Sequence, residues 1–312
     1  MFHLDRPVDV DQVSALVGPD VKIVGPGVEQ GLDEADVAIA GSVRWDIERF
    51  DLAPNLRVLA RTGIGVDTVD LADATRRGII VTNTPDGPTV STAEHAIALL
   101  FAVAKTIPIH QQRMREAAGN YVTASTATEL DGLTLGLLAY GRIARRVARI
   151  AAGVGMNIVA NDPFLAQDAI AGDASGVTLV DFERLLSSSD VLSLHCPLNP
   201  ESAGLFNAET FARCKPGVIF INSARGGLVD HDDLLAALEA GQVGGAGLDV
   251  TEPEPLPPEH PLLHRPDVVV TPHVASATVV GRQRMLDMAI EQAFQALGGS
   301  CPTHLVNGDV LS

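Results

Sequence analysis

The chain has 312 residues and is 46% hydrophobic, which is enough to build the cores of two domains. Its formal net charge of −17 repels nucleic acid and anionic membrane surfaces, so we exclude both as default partners. The three cysteines are far apart and show neither metal-ligand spacing nor a disulfide framework, which is typical of a reducing compartment. The longest apolar run, residues 96–104, is too short to cross a bilayer. We therefore expect a soluble cytoplasmic protein without a metal site.

Apolar runs alternate with helical patterns along most of the chain, which predicts parallel sheets with helices on both faces. The first four predicted strands are VKIVG, ADVAIAG, LRVLART and IIVTNTP. A strongly apolar helix follows over about residues 91–106, and a weakly patterned polar segment follows over 107–128. A second series of strands reads TLGLLAY, NIVAND, GVTLV, VLSLHCP, VIFINSA, GAGLDVT and VVVTPH. The last helix is predicted over about residues 275–297.

The loop after the first strand of the second series occupies the position of the glycine loop G-x-G-x-x-G in dinucleotide-binding folds. Its three glycine positions hold Ala139, Gly141 and Ala144. Gly141 lets the backbone approach a pyrophosphate, and alanine is an accepted alternative at the third position, where helix packs on strand. Ala139 departs from the pattern: because alanine has a Cβ, we expect a negative φ there. The alternative interpretation is a plain strand-turn-helix without a ligand.

The next strand ends in Asp162, which follows Gly141 by 162 − 141 = 21 residues. An acidic residue about 20 residues beyond the loop is typical of a group that binds a ribose hydroxyl. A carboxylate there repels a 2′-phosphate, and no Arg or Lys follows until Arg184. Strand, loop, helix and acid together predict a site for NAD(H) rather than NADP(H).

Three polar residues lie at or just after the ends of predicted strands: Arg225, Glu254 and His273. Ligands of open parallel sheets bind outside the carboxyl ends of the strands, so these side chains can converge on one cleft. Each residue alone also has a non-catalytic interpretation. Arg225 could pair with a helix end, Glu254 could be a solvated loop carboxylate, and His273 could be a capped loop histidine.

Together the three residues fit the reduction of a 2-keto acid. Arg225 can hold the carboxylate and the carbonyl oxygen through its planar guanidinium. Protonated His273 can give its proton to the carbonyl oxygen. Glu254 can orient the imidazole and stabilise its protonated form by charge attraction.

The first series of strands has a loop of its own, RTGIGVD, at the end of its third strand. Gly63 and Gly65 free the backbone, so the amides of Ile64 and Gly65 can form a small anion nest. Arg61 beside this nest favours a carboxylate or a phosphate as the bound group. The alternative interpretation is an ordinary turn.

Two further histidines are weaker candidates than His273. His95 lies within the apolar helix, and we interpret it as a packed helix residue. His195, in SLHCP, lies at a strand end near the place where a cofactor would bind.

Five longer motifs are together far more specific than the glycine loop: RTGIGVDTVDLADATRRGIIVTNTP, TVSTAEHAIALL, INSARGGLVD, GLDVTEPEPLPPEHPLL and TPHVASAT. From about residue 55 onward, the chain resembles the D-isomer-specific 2-hydroxyacid dehydrogenases. The resemblance implies that Arg225, Glu254 and His273 are the catalytic residues. It also implies these binding residues: for the cofactor, Gly141, Arg142 and Ile143 at the pyrophosphate, Asp162 at the ribose and Asp249 at the nicotinamide carboxamide; for the substrate, Ile64 and Gly65 at the carboxylate and Arg61 at a phosphate.

The family implies an α/β architecture of two doubly wound parallel-sheet domains, with a Rossmann nucleotide domain inserted into a flavodoxin-like substrate domain. We place the substrate domain at residues 1–98 and 285–312 and the NAD-binding domain at 99–284. The segment 107–128 is long for a connector, and the corresponding region of the family packs on a partner subunit. We therefore expect a homodimer through the nucleotide domain.

The substrate is less clear from the motifs. DVTEPEPLPPEHPLL with PHVASAT is similar to glyoxylate/hydroxypyruvate reductases, whereas RTGIGVDTVDL and ETFARCKPG are similar to 3-phosphoglycerate dehydrogenases. We favour NAD-dependent reduction of glyoxylate or hydroxypyruvate, with D-3-phosphoglycerate dehydrogenase lacking a regulatory domain as the second hypothesis. A cofactor-sensing binding protein on the same scaffold, as in the related C-terminal-binding corepressors, is the third.

Overall fold

The computed structural model describes residues 1–5, 9–25, 27, 29–117 and 119–311, which form two compact units. The first unit combines Met1–Pro88 with Ala277–Ser312, and the second unit is Thr89–Ser276. The limits expected from the sequence, 98/99 and 284/285, lie 98 − 88 = 10 and 284 − 276 = 8 residues later. Both observed limits precede a whole helix, because a helix keeps its hydrogen bonds and its packing face within one unit.

The described residues contain twelve strands and ten α-helices. The strands are β1 (Phe2–Leu4), β2 (Ile23–Val24), β3 (Val37–Ala40), β4 (Val58–Arg61), β5 (Ile80–Thr82), β6 (Thr134–Leu138), β7 (Asn157–Asn161), β8 (Thr178–Leu179), β9 (Val191–Leu194), β10 (Val218–Asn222), β11 (Val243–Leu248) and β12 (Val268–Val270). The helices are α1 (Val10–Val17), α2 (Ile47–Asp51), α3 (Leu71–Arg76), α4 (Thr89–Ala104), α5 (Ile107–Arg115), α6 (Arg142–Gly153), α7 (Phe182–Ser188), α8 (Ala208–Arg213), α9 (His231–Glu239) and α10 (Val279–Leu297).

The sheet of the first unit has five parallel strands in the order β2-β1-β3-β4-β5, which is the flavodoxin-like order. One face packs against α1 and α10, and the other face buries Trp45 and Phe50. β1 lies in the interior of this sheet, between β2 and β3, and no pattern in the sequence predicted it. Its three buried residues are too few to show a periodic pattern. The predicted flavodoxin-like arrangement is confirmed.

The sheet of the second unit has seven parallel strands in the order β12-β11-β10-β9-β6-β7-β8. The chain starts in the middle at β6, runs outward to β8, returns to β9 and then runs outward on the other side. This is the doubly wound Rossmann arrangement, with its switch point between β6 and β9. The loops that carry Gly141, Asp162, Arg225, Glu254 and His273 follow the carboxyl ends of β6, β7, β10, β11 and β12. The predicted Rossmann unit is confirmed.

Three helices differ in detail from the sequence prediction. α4 begins at Thr89, and α5 occupies the start of the segment that showed only a weak pattern. α10 begins at Val279 because the Thr278 side chain accepts the Gly281 N–H at 2.9 Å and caps the helix there. Within the described residues no single helix is long and apolar enough to cross a membrane; α4 and α5 reach that length only as a pair bent by 57°.

Candidate active site

The glycine loop lies between β6 and α6, and its first position, Ala139, has φ = +67°. The expectation of a negative φ there is wrong. Hydrogen bonds fix the turn on both sides: the Ala139 N–H donates to the Asn161 carbonyl at 2.8 Å, and the Tyr140 N–H donates to Asp162 Oδ2 at 2.9 Å. A left-handed conformation costs an L-residue roughly 1–2 kcal/mol. The contacts of the turn therefore override the local preference of alanine.

The amino end of α6 is open to a ligand. Two other helices of this unit, α7 and α9, are capped by the carboxylates of Asp181 and Asp230. Gly141 has no side chain to cap α6, and a Cβ built on it would meet no described atom within 4 Å. The amides of the first turn and the positive end of the helix dipole favour an anion at this position. Arg142 is exposed and Ile143 is half-buried in the first turn of this helix.

Asp162 lies directly after β7 and faces the glycine loop. Its Oδ2 accepts the Tyr140 N–H, and its Oδ1 accepts the Phe164 N–H at 3.0 Å. The Asp162 side chain is half-buried, whereas the ring of Phe164 is 91% exposed. The structure thus brings the expected ribose-binding acid and the glycine loop into contact.

His273 and Glu254 are also in contact. His273 Nδ1 lies 2.6 Å from Glu254 Oε1, and the two side chains are 39% and 38% exposed. The φ of His273 is +53°, a left-handed value that histidine adopts more readily than most residues, and its N–H donates to the Asp249 carbonyl at 2.7 Å. Because Nδ1 faces the carboxylate, Nε2 is the ring nitrogen that is left to serve a substrate.

Arg225 follows β10 in a loop that is held by Asn222, whose Nδ2 donates to the Arg225 carbonyl at 2.8 Å. A Cβ built on the next residue, Gly226, would lie 2.1 Å from the carbonyl carbon and oxygen of Thr251. The loop that carries Arg225 therefore makes backbone contact with the segment that leads to Glu254, and only glycine fits between them. Arg225 was predicted from the sequence, whereas the role of Gly226 was not; the run ARGG is the one feature of the sequence that points to it.

Asp249 follows β11, and its side chain is 0% exposed. Its Oδ1 accepts the Thr271 hydroxyl at 2.6 Å and the Val274 N–H at 2.9 Å, and its Oδ2 accepts the Ala275 N–H at 2.8 Å. Burial by itself raises the pKa of this carboxyl, but the hydrogen bonds that it accepts, led by one from His95, outweigh burial and lower the pKa. Asp249 thus anchors residues 271–275, the segment that carries the candidate acid.

His95 reaches the same segment from α4. Its Nε2 lies 2.9 Å from Thr271 Oγ1 and 3.4 Å from Asp249 Oδ1. The interpretation of His95 as a packed helix residue misses this polar contact. No pattern in the sequence could have shown it, because His95 and Thr271 are 176 residues apart along the chain.

The expected substrate-binding residues belong to the first unit, where they form the loop after β4. Arg61 Nη1 donates to the Thr62 carbonyl at 3.0 Å, and a Cβ built on Gly63 would lie 3.0 Å from the same nitrogen. The Ile64 carbonyl accepts from Asn83 Nδ2 at 2.8 Å, and the Ile64 side chain is 37% exposed. The guanidinium of Arg61 therefore packs beside the loop that contains the amides of Ile64 and Gly65.

The chain is similar to a known protein family and to several of its members. Residues 97–275 match the model of the family described as D-isomer specific 2-hydroxyacid dehydrogenase, NAD binding domain. The D-3-phosphoglycerate dehydrogenase of Archaeoglobus fulgidus is 42% identical over 243 residues, which cover 78% of this chain and 45% of that protein. The glyoxylate reductase of Korarchaeum cryptofilum is 41% identical over 271 residues, which cover 85% of this chain and 80% of that protein.

A solved structure is similar over nearly the whole chain. The D-lactate dehydrogenase from Aquifex aeolicus, complexed with NAD and lactic acid, has a TM-score of 0.87 and 27% identity and covers 98% of this chain and 99% of its own. The chain spans about half the length of the phosphoglycerate dehydrogenases that it matches. The prediction of NAD as cofactor is confirmed by the matched family, whose description names it. From the extent of these matches, the chain belongs to the D-isomer specific 2-hydroxyacid dehydrogenase family.

Proposed function

We propose that the protein is an NAD-dependent D-2-hydroxyacid dehydrogenase that reduces a small 2-keto acid, with glyoxylate or hydroxypyruvate preferred. The observation that supports this most directly is the 2.6 Å contact between His273 Nδ1 and Glu254 Oε1. An imidazole oriented by a carboxylate is suited to exchange a proton with a carbonyl or hydroxyl oxygen. The pair lies beyond the carboxyl ends of the Rossmann strands, where ligands of such sheets bind.

When bound, the cofactor would supply a hydride as NADH for reduction and accept one as NAD+ for oxidation. Gly141 and the first turn of α6 hold its pyrophosphate, with Arg142 and Ile143 beside it, and Asp162 binds the ribose hydroxyls. The Asp162 carboxylate repels a 2′-phosphate, which favours NAD(H) over NADP(H). The full burial of Asp249 favours a role in fixing residues 271–275 over the direct contact with the nicotinamide carboxamide that the resemblance implies.

The remaining residues handle the substrate and the proton. In the second unit, the Arg225 guanidinium binds the substrate carboxylate and carbonyl oxygen. In the first unit, the role that we propose for the amides of Ile64 and Gly65 is to bind a carboxylate. Glu254 holds His273 Nδ1, so that Nε2 gives its proton to the carbonyl oxygen during reduction and takes a proton from the hydroxyl during oxidation.

A second candidate substrate, 3-phosphoglycerate with its keto acid, is favoured by Arg61. The guanidinium of Arg61 packs on Gly63, beside the amides expected to bind the substrate carboxylate. A fixed cation at that position suits a phosphorylated acid better than glyoxylate, because arginine forms paired hydrogen bonds with phosphate oxygens. The name of the Archaeoglobus fulgidus relative also supports this candidate.

NADH oxidation with three keto acids separates these functions. Purified protein and an Arg61→Met variant are assayed by NADH absorbance with glyoxylate, hydroxypyruvate and phosphohydroxypyruvate. The first proposal predicts higher kcat/KM with the unphosphorylated acids and little effect of Arg61→Met. The second predicts a preference for phosphohydroxypyruvate that Arg61→Met lowers by about 10–100-fold, the value of charged hydrogen bonds. NADH binding without turnover of any of the three would instead indicate a cofactor-sensing binding protein.

The assembly and location that we propose are a homodimer in the cytoplasm. Apolar side chains lie exposed along α5 and the residues that follow it: Ile107 is 52% exposed, Met114 66%, Tyr121 40% and Val122 87%. In the nucleotide domain of this family the corresponding region packs on a partner, which supports the homodimer. Light scattering at micromolar concentration should report a dimer, and a Met114→Asp/Val122→Asp variant should be monomeric; a monomeric wild type would contradict the proposal.

A further inference from the structure

Ala139 raises the question of what holds the glycine loop in its conformation. Its φ of +67° is one that alanine disfavours, whereas the glycine usual at this position in the family adopts it without steric cost. A strained backbone persists only where the surrounding contacts over-determine it. The side chain of the next residue, Tyr140, provides such contacts.

Tyr140 is completely buried, and its hydroxyl is bound to a turn 33 residues further along the chain. The hydroxyl donates to Asp173 Oδ2 at 2.9 Å and lies 3.0 Å from Ser175 Oγ. The Arg145 guanidinium lies over the tyrosine ring, 4.8 Å from its centroid, and its Nη1 lies 3.5 Å from Asp173 Oδ2. The ring is therefore held at its hydroxyl by hydrogen bonds and on its face by a cation.

Asp173 is itself fixed in place. Its Oδ1 accepts the Ser175 N–H at 2.9 Å and the Ser175 hydroxyl at 2.7 Å. Burial by itself raises the pKa of Asp173, but hydrogen bonds from Ser175 and Tyr140 and the charge of Arg145 outweigh burial and lower the pKa. Burial raises the pKa of Tyr140 to about 12. At neutral pH an ionised acceptor thus faces a protonated donor.

We propose that Tyr140 is a positioning residue for the dinucleotide. Its bonds to Asp173 and Ser175 hold Ala139 in the left-handed region, and they thereby keep the backbone at Gly141 in the orientation that receives the pyrophosphate. The inference rests on the cofactor role proposed above for this loop. It has one specific consequence: the Tyr140 hydroxyl matters because residue 139 is alanine, since a glycine there takes the same φ without help.

A merely structural role for the hydroxyl has a different signature. If the hydroxyl only anchored a buried ring, its removal would lower the melting temperature by the same amount whichever residue stood at position 139. The affinity for NADH would then be unchanged. If the hydroxyl positions the loop, its removal weakens NADH binding, and the size of that effect depends on residue 139.

A double-mutant cycle measures this dependence. Wild type, Ala139→Gly, Tyr140→Phe and the double variant are compared for the Kd of NADH, for kcat at saturating NADH and for melting temperature. Tyr140→Phe keeps the buried ring. It should raise the Kd about tenfold in the wild-type background, the effect of one hydrogen bond to a charged group. In the Ala139→Gly background the increase should be less than about twofold, and kcat at saturating NADH should stay within about twofold throughout.

The controls keep the test decisive. Tyr121→Phe removes the chain's other tyrosine hydroxyl and should leave the Kd unchanged. If Tyr140→Phe does not fold, Asp173→Asn, which removes the charge but keeps the side-chain size, is taken through the same cycle with the same criteria. An equal increase in both backgrounds, or none in either, overturns the positioning role and leaves the cofactor site standing. A wild-type protein that does not bind NADH overturns both.

Discussion

Replacing Gly226 by alanine should lower kcat/KM for keto acid reduction by about 100-fold, the cost of misplacing catalytic groups by about 1 Å. The new Cβ would lie 2.1 Å from the carbonyl carbon and oxygen of Thr251 and 2.7 Å from the amide nitrogen of Glu252. An ordinary contact needs at least 3.4 Å, so the two backbone segments must separate by about 3.4 − 2.1 = 1.3 Å. Because one segment carries Arg225 and the other leads to Glu254, the separation moves two of the three candidate catalytic groups apart.

The assay compares Gly226→Ala with Gly227→Ala, the same substitution one residue further on. A Cβ at Gly227 would lie 3.1 Å from Leu198 Cδ2, the end of a flexible side chain that can turn aside. Gly227→Ala should therefore keep kcat/KM within about threefold of wild type. A substitution whose neighbour can move aside changes the free energy by only about 0.5 kcal/mol. Gly226→Ala should also lose about 1–3 kcal/mol of unfolding free energy through overpacking. Its NADH affinity should be nearly unchanged, because the glycine loop is not touched.

Two results would refute this reasoning. The first is equal activity of Gly226→Ala and Gly227→Ala, which would show that the contact with Thr251 does not position the catalytic groups. The second is a matched loss of NADH affinity and of kcat/KM in Gly226→Ala, which would point to general unfolding of the unit. Urea denaturation of both variants separates lost stability from lost activity.

The remaining predictions concern cofactor choice, the proton and acid stability. NAD(H) should exceed NADP(H) in kcat/KM because Asp162 repels a 2′-phosphate; comparable values for the two cofactors would contradict the assignment. His273→Ala should lower the rate of reduction by about 10²–10⁴-fold. Glu254→Gln should lower it less, since the amide keeps the side-chain size and one hydrogen bond. Full activity of His273→Ala in NADH assays would mean that another group is the acid. Burial lowers the pKa of His195 from its usual 6.5 to about 4. Between these two pH values the unfolded chain binds a proton at His195 that the folded chain does not bind. The folded state should therefore lose stability as the pH falls from 6.5 towards 4. The free energy of unfolding, measured by urea denaturation, should fall less between pH 6.5 and 4 in His195→Gln than in wild type. The same substitution at the exposed His264 should leave this pH dependence unchanged.

Local patterns in the sequence determined the architecture of both units. Each apolar run and each helical stretch shows its own period, and their alternation implies parallel sheets. All seven runs predicted in the second series contain or overlap a strand of the Rossmann sheet. Arg225, Glu254 and His273 could be named for the same reason, because polar residues that follow buried strands of a parallel sheet share one edge.

Ala139 and β1 show where local pattern stops being informative. The φ of Ala139 is held by contacts outside the loop. They are the backbone contacts with Asn161 and Asp162, at the end of the next strand, and, as we propose, the bonds of the Tyr140 side chain to Asp173 and Ser175. The free-energy cost of a positive φ at alanine is smaller than the stabilisation from those hydrogen bonds together, so a prediction from residue type alone fails. β1 has three residues, and its place in the interior of the sheet is decided by its pairing with β2 and β3.

Only the tertiary structure decided which atoms meet inside the candidate site. The Tyr140 hydroxyl is hydrogen-bonded to Asp173, and the Gly226 backbone lies against that of Thr251. His95 contacts Thr271, which is 176 residues away along the chain. The spacing of apolar residues shows which face of a helix or strand is buried, but not which other helix or strand that face packs against. The particular partner, and with it the conformation of the glycine loop and of the segment that carries His273, is selected when the chain closes and most buried polar groups find hydrogen-bond partners.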